Sequence, residues 1–489
     1  MSERKSYYLT LLLLSILVII PIWLVNYPPL VDYPNHLARA FIISNYNKVQ
    51  SYQKMYEIVR EPIPNIAIDI LLPLFLKVIP NIKIASKLFL TLTVLFFILG
   101  CHLLAQSIHR FTWLGLCGPF LVYNSGFLYG FVNYVFGLGL FFLALSYYLR
   151  IKFSWNIKNF LMFSCLVFLC YFSHLSAYVF LFLACCIFSL FYLRFSNLRT
   201  YVASILPLLL PSLLFLIFIK GSGTIGKIRW NTFVGKIMHV AGGMITSYNY
   251  FIDFGIGMIY LCIFFIFIFL SHYRKAIFVI KPAILASSCV FWIAFFLCPS
   301  TVFTAWSADS RFVPVALILT FLSFRIYIHK NFFRHLFIIL VLILIVRIGE
   351  ITYYWKVIDN NITQQIQLFN HFPKGTKIFP IVFLPKDLQA NKIERPVYHI
   401  IHYSTIYRHT FSPTIFAIKG QHLLNIKDTT IYISYIDQNT WIKVNWKRIF
   451  TDYDYFWCYN INENLNNFLK TNCKLIIATD HCKIYKVLP

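Results

Sequence analysis

Acidic side chains are scarce in this chain. Its 489 residues hold 17 Asp plus Glu against 43 Lys plus Arg. Before residue 351 the acids are Glu3, Asp32, Glu57, Glu61, Asp69, Asp253, Asp309 and Glu350. A carboxylate in that stretch is a poor candidate for mere solvation. Charge of either sign is thin as well, at 12% of residues, while 59% are hydrophobic and 19% aromatic, with a mean hydropathy of +0.70. Those proportions exclude a water-soluble domain of this length and call for a multi-span membrane protein. No internal repeat or low-complexity tract is evident.

The net charge of +26 does not point to nucleic acid, because the cations are spread through loops between apolar runs. The positive-inside bias and lipid phosphates account for them there. Cysteine carries no redox message in the first 350 residues, where nine of the twelve lie in or beside apolar runs and act as small hydrophobes. The other three, Cys458, Cys473 and Cys482, are in the tail. A Cys473–Cys482 bridge is open to them if the tail is extracytoplasmic, with one thiol left over.

Residues 8 to 25 form an apolar run of bilayer length after Arg4 and Lys5, with no small-residue cleavage site before NYPPLVDYP, and read as a retained anchor. Further runs cover 84–106, 112–124, 127–149, 159–173, 175–194, 199–219, 255–271, 276–298, 311–328 and 332–349, giving eleven spans over residues 1–350. With the N-terminus in the cytoplasm, the clusters at Arg110, Arg150 to Lys158, Arg194 to Arg199, Arg274 to Lys281 and Arg325 to Arg334 all fall inside. The first outer loop is then 26–83, and the Ser173-His174 junction, the 220–254 and 299–311 loops and the tail also lie outside. Residues 65–80, with Asp69 and Pro73 inside a short apolar run, read as interfacial or re-entrant. From residue 351 short β-rich runs replace the long apolar ones: TKIFPIVFL, TTIYISYI, YDYFWCYN and LIIATD to CKIYKVL, with helix-like ENLNNFLK among them. The fold class is therefore mainly α, a polytopic transmembrane helix bundle with a C-terminal extracytoplasmic α/β domain at 351–489.

Chemistry on the outer face centres on VDYPNHLAR, residues 31 to 39, where Pro28, Pro29 and Pro34 restrict the backbone around Asp32. An ionised carboxylate held there suits a general base that draws the proton from an attacking hydroxyl. Departure of a lipid phosphate would call for cations or donors nearby, and His36, Arg39, His174 and Arg311 are candidates on the same face, with Asp309 beside the last. Each has a structural alternative. Asp32 is also placed to cap a helix or pair with Arg39, His36 to pack and cap, and Asp309 with Arg311 to form a local ion pair. His174 interrupts the apolar run YFSHLSAY, where a polar group faces a cavity or a partner more often than lipid. GSGTIG at 221–226 is discarded as a phosphate loop because Ile228 stands where Ser or Thr is needed. His399, His402 and His409 lack Cys or carboxylate neighbours at ligand spacing and read as surface histidines.

VDYPNHLAR, IPNIAIDILLP at 63–73, VYNSGFLYGFVNYVFGLGL at 122–140, FSHLSAY at 172–178, ADSRFVP at 308–314 and FSPTIFAIKGQ at 411–421 together resemble a family of uncharacterised bacterial multi-span proteins. That family is similar to the GT-C superfamily of polyprenyl-phosphate-dependent glycosyltransferases. The resemblance implies an inverting transferase of the inner membrane with an extracytoplasmic site, in which an acid of the first outer loop is catalytic base or metal ligand; the matching residue is Asp32. Many GT-C members carry a paired Asp-Glu there, whereas Asp32 is followed by Tyr33, so no cofactor is indicated and a divalent metal is left open. The implied partners are a polyprenyl-phosphate-linked sugar, membrane lipid and an envelope glycan or protein acceptor. The rival readings are a transporter or flippase for a lipid-linked or anionic solute, which would string charges along a path through the bilayer, and a non-catalytic assembly factor.

Overall fold

A computed structural model describes residues 3–488, apart from 153, 193–197, 219–227, 247, 273–275, 303–304 and 434–435. The chain divides into two compact units. The first comprises Met1–Ile22, Pro62–Ala67 and Leu90–Thr352, and the second Trp23–Glu61, Ile68–Phe89 and Tyr353–Pro489. Most of the first outer loop thus belongs to the same unit as the tail.

Among the described residues, five helices are long and apolar enough to cross a membrane: Glu3–Leu24, Ile82–His109, Val132–Ile151, Tyr250–Leu270 and Lys330–His371. Shorter apolar helices run over Ile157–Ser173, Leu175–Phe191, Val202–Phe218, Pro282–Leu297 and Phe312–Leu322. Over an 18-residue apolar stretch, the Val132–Ile151 helix is 89% buried and the Tyr250–Leu270 helix 6%. The first is therefore a core element, and the second offers its Phe and Ile side chains to the surroundings, as a lipid-facing helix does.

Two expectations about these runs change. Residues 112–124 form no long helix: a 3-10 turn over Trp113–Leu116 leads into a five-residue helix, Cys117–Leu121. Neither piece approaches the roughly 20 residues a spanning helix needs. The runs 276–298 and 311–328 contain helices only at Pro282–Leu297 and Phe312–Leu322, and their remaining ends, Ala276–Ile280 and Phe324–Ile328, pair as antiparallel strands. β-Branched and aromatic residues dominate both ends. The run 65–80 is a twelve-residue helix, Ala67–Val78, with Pro73 inside it.

Close crossings in the first unit depend on glycine. A Cβ on Gly139 would lie 2.5 Å from the Phe96 carbonyl carbon, and one on Gly100 would lie 2.4 Å from the Gly139 oxygen. The Ile82–His109 and Val132–Ile151 helices can touch backbone to backbone only because neither residue has a side chain. In the long Lys330–Leu368 helix, Arg347 is buried and its two terminal nitrogens donate to the carbonyls of Phe120, Met244, Tyr123 and Thr246.

The second unit contains a four-stranded sheet. Its strands Ile378–Val382, Tyr455–Tyr459, Cys482–Val487 and Cys473–Ala478 neighbour one another in that order, with the first pair parallel and the others antiparallel. Glu463–Asn472 is the expected helix, N-capped by Asn462. Among its described residues, TTIYISYI contributes a bridge from Ile436 to Ile381. No disulfide joins Cys473 to Cys482: all twelve thiols are free. On these antiparallel neighbours Cys473 pairs with Val487 and Lys483 with Ala478, so the two cysteines sit at opposite ends of the ladder. Several residues at about 3.4 Å each separate them, beyond the ~7 Å limit between Cα atoms that a disulfide tolerates.

Candidate active site

Asp32 lies at the entrance to the helix Tyr33–Asn45, as its N-cap residue, with Pro34 in the first turn. Its backbone carbonyl accepts from the amides of Asn35 and His36, but its carboxylate makes no capping hydrogen bond. The loop before it is anchored by Asp359, whose two oxygens accept from Asn26 N and Tyr27 N, each at 2.8 Å. The Tyr33 hydroxyl donates to Ser86 O at 2.7 Å and fixes the other side. With its side chain 21% exposed, Asp32 turns one oxygen to His399 Nε2 at 3.4 Å. Neither bland role holds for this carboxylate, since Arg39 takes a different partner.

Arg39 is buried and bidentate on Asp69, with Nε to Oδ1 at 2.8 Å and Nη2 to Oδ2 at 2.9 Å. Burial pushes the Asp69 carboxyl above its usual value, against the pull of the Arg39 charge. Nη2 also reaches His36 Nδ1 at 3.3 Å, and the His36 ring stands edge-on to Phe416. The expectation that Arg39 faces a phosphate therefore gives way to a buried structural pair, in which the guanidinium has no exposed edge. Asp69 was legible as a rare outer-face acid, but its separation of thirty positions hid the partnership.

The reading of His399 and His402 as surface groups is also overturned. Both are buried, with rings stacked 5.7 Å apart, and His402 Nε2 lies 3.2 Å from Thr414 Oγ1. Burial drives His402 well below the ordinary histidine range, and the neighbouring His399 adds to this. His409 is half-buried and its Nδ1 meets the Tyr52 hydroxyl at 3.0 Å. Sequence spacing carried no sign of this, because the carboxylate that His399 meets lies in a different segment.

The remaining candidates lie in the first unit. His174 occupies the break between the Ile157–Ser173 and Leu175–Tyr192 helices; its Nδ1 accepts from Ser176 N at 3.1 Å, and its ring meets Tyr134 edge-on at 5.5 Å. Asn65, at φ +69°, pins the break by accepting from Leu175 N and offering its carbonyl to Asn133 Nδ2. Arg311 stands at the start of the Phe312–Leu322 helix with its guanidinium over the rings of Phe131 at 5.3 Å and Tyr134 at 6.0 Å, while the Tyr134 hydroxyl donates to Arg311 O. Tyr134 thus links His174 to Arg311, a connection that residue type and spacing did not signal. Asp309 does not pair with Arg311. It binds Lys236 Nζ at 2.9 Å and His239 Nδ1 at 3.2 Å, both on the Phe233–Met244 helix one turn apart. Burial raises the Asp309 carboxyl, but the ion-pair contacts with His239 and Lys236 outweigh it and hold the group below its ordinary value.

Asp32, His36 and Arg39 therefore belong to the second unit, and His174, Asp309 and Arg311 to the first. The GSGTIG segment lies outside the described residues. Among the described residues no three His, Cys, Asp or Glu side chains are grouped as metal ligands.

No protein-family model matches the chain, and no curated protein does. Solved structures do. Crystal structures of ArnT from Cupriavidus metallidurans, bound to undecaprenyl phosphate and in the apo state, each align over 99% of this chain and 98% of their own, at a TM-score of 0.53. Identity is 9% and 8% respectively, so the likeness is one of fold, and the fold is GT-C-like.

Proposed function

We propose that this protein is a multi-span membrane glycosyltransferase that moves a sugar from a polyprenyl-phosphate-linked donor to an envelope acceptor on the extracytoplasmic face of a bacterial inner membrane. The observation that carries this reading is the end-to-end fold likeness to ArnT, one of whose structures holds undecaprenyl phosphate. The state of Asp32 adds to it: a partly exposed carboxylate, spent neither on a helix cap nor on Arg39. In the proposed reaction an acceptor hydroxyl gives its proton to Asp32 while its oxygen attacks C1 of the sugar. The bond from C1 to the carrier phosphate breaks on the opposite side, and configuration inverts. The negative charge that develops on the departing phosphate calls for cations or hydrogen-bond donors, the role for which the sequence offers Arg311 and His174. Asp309, tied to Lys236 and His239, holds the loop that leads into Arg311, and His36 lines the loop of Asp32. The tail domain would shape acceptor access.

A transporter would need available charges along its spans. The buried guanidinium of Arg347 is instead occupied by four carbonyl groups. Mass spectrometry of envelope glycans and lipid-linked sugars in a deletion strain separates the two readings. Loss of one sugar from an envelope glycan, with its lipid-linked donor accumulating on the outer leaflet, is the expected result. Accumulation on the inner leaflet, or an unchanged envelope, would overturn the assignment.

A further inference from the structure

The side-chain amide of Asn35 is held in one orientation by two backbone groups. Its Oδ1 accepts from Phe416 N at 2.6 Å, and its Nδ2 donates to Thr414 O at 2.8 Å. A flipped amide would set oxygen against carbonyl and NH2 against N–H, so the assignment is fixed by groups whose own roles cannot change. The same Nδ2 lies 3.3 Å from His399 Nδ1. An amide nitrogen can only donate, so Nδ1 must present its lone pair, and the ring proton of neutral His399 sits on Nε2. Nε2 in turn faces Asp32 Oδ1 at 3.4 Å.

We propose that Asn35 is a positioning residue: by locking His399 as the Nε2–H tautomer it makes the imidazole a standing donor to one oxygen of Asp32, leaving the other for the acceptor hydroxyl. This rests on Asp32 being the base. The chain is Phe416 N–H to Asn35 Oδ1, Asn35 Nδ2–H to His399 Nδ1, and His399 Nε2–H to Asp32. It joins the first outer loop to the FSPTIF segment of the tail, both within the second unit. A histidine that binds a metal through Nε2 must carry its proton on Nδ1 and donate it to an acceptor. Asn35 places a donor there, so the Asp32–His399 pair does not fit a divalent metal.

Long-range 1H–15N correlation on the full chain, labelled with 15N-histidine in detergent micelles, reads the tautomer; the His399 signals are those lost in His399→Gln. The expected spectrum has Nε2 protonated and Nδ1 bare, with no metal added. Asn35→Asp puts an acceptor opposite Nδ1 and should move the proton there. In a complemented deletion strain it should also lower product by about ten- to a hundredfold, as loss of the hydrogen-bond partner that orients an active-site histidine does. Should that variant fail to fold, His399→Leu and His399→Gln carry the test: Gln keeps a donor near the Nε2 position and should form at least about tenfold more product than Leu. A wild-type Nδ1–H tautomer, a tautomer unmoved by Asn35→Asp, or equal product from the two His399 variants overturns the positioning role. In those cases loss of product in Asp32→Asn leaves the base in place. Unchanged product in Asp32→Asn removes the base, and the positioning role with it, whatever the spectrum shows.

Discussion

Replacing Asp69 by Asn isolates what the buried pair with Arg39 is for. Both side chains are fully buried, and two hydrogen bonds of 2.8 and 2.9 Å join them. Arg39 Nη1 is buried without a hydrogen-bond partner among the described residues, so the guanidinium depends on Asp69 for most of its compensation. Asp69→Asn keeps the shape and removes the charge, leaving a cation stranded in a low-dielectric site. Breaking a buried pair in this way costs about 3–5 kcal/mol, roughly a hundred- to several-thousandfold in the folded-to-unfolded ratio. Replacing both partners by apolar residues of similar volume, Arg39→Met with Asp69→Leu, removes the desolvation cost along with the attraction and should leave stability near wild type. Thermal unfolding in detergent micelles ranks the three proteins, and product formation in the complemented deletion strain reads activity. The expected order is Asp69→Asn lowest and the double variant close to wild type, with product still made by the double variant. Asp69→Asn as stable as wild type would refute the energetic reasoning. A folded double variant with no product would refute the structural assignment and return Arg39 to the substrate, where the sequence pattern had placed it.

Asp309 should make stability pH-dependent in one direction. Its carboxyl is held below its ordinary value by His239 and Lys236, so its contribution is complete above about pH 4 and is lost as pH falls through the lowered value. Unfolding scans from neutral pH to pH 3 should show a steeper loss in wild type than in Asp309→Asn; parallel curves would contradict this. Gly139→Ala forces a Cβ to 2.5 Å from the Phe96 backbone, and should cost about 1–3 kcal/mol by overpacking, measured as a lower unfolding midpoint. Alkylation under denaturing conditions without reductant should label all twelve thiols; a pair recovered only after reduction would show a disulfide that this fold does not accommodate.

Elements whose pattern is local were legible from sequence. Apolar length found most of the long helices, and β-rich composition found the strands at Ile378–Val382, Tyr455–Tyr459, Cys473–Ala478 and Cys482–Val487. Residues 112–124 misled because hydropathy registers apolar length but not whether the run is one helix or, as here, a 3-10 turn and a five-residue helix. Asp32 stood out through the scarcity of acids and its proline frame. His399 did not, because whether a histidine is buried against a carboxylate depends on a contact between the loop after the first helix and the tail. The same limit hid Asn35, whose amide is informative only through Thr414 and Phe416. It also hid the partner of Arg39, since a lone arginine looks alike in sequence whether it awaits a phosphate or already holds Asp69.

The central claim, that Asp32 is the base of a glycosyl transfer, is tested most directly by Asp32→Asn. That change removes proton acceptance while keeping size and an oxygen to face His399. Mass spectrometry of the envelope glycan in a deletion strain carrying this variant, with expression and unfolding midpoint checked against wild type, should show product reduced by about a hundred- to ten-thousandfold. An equally expressed, equally stable Asp32→Asn protein that forms product within about twofold of wild type would contradict the claim, since a positioned base contributes far more than that.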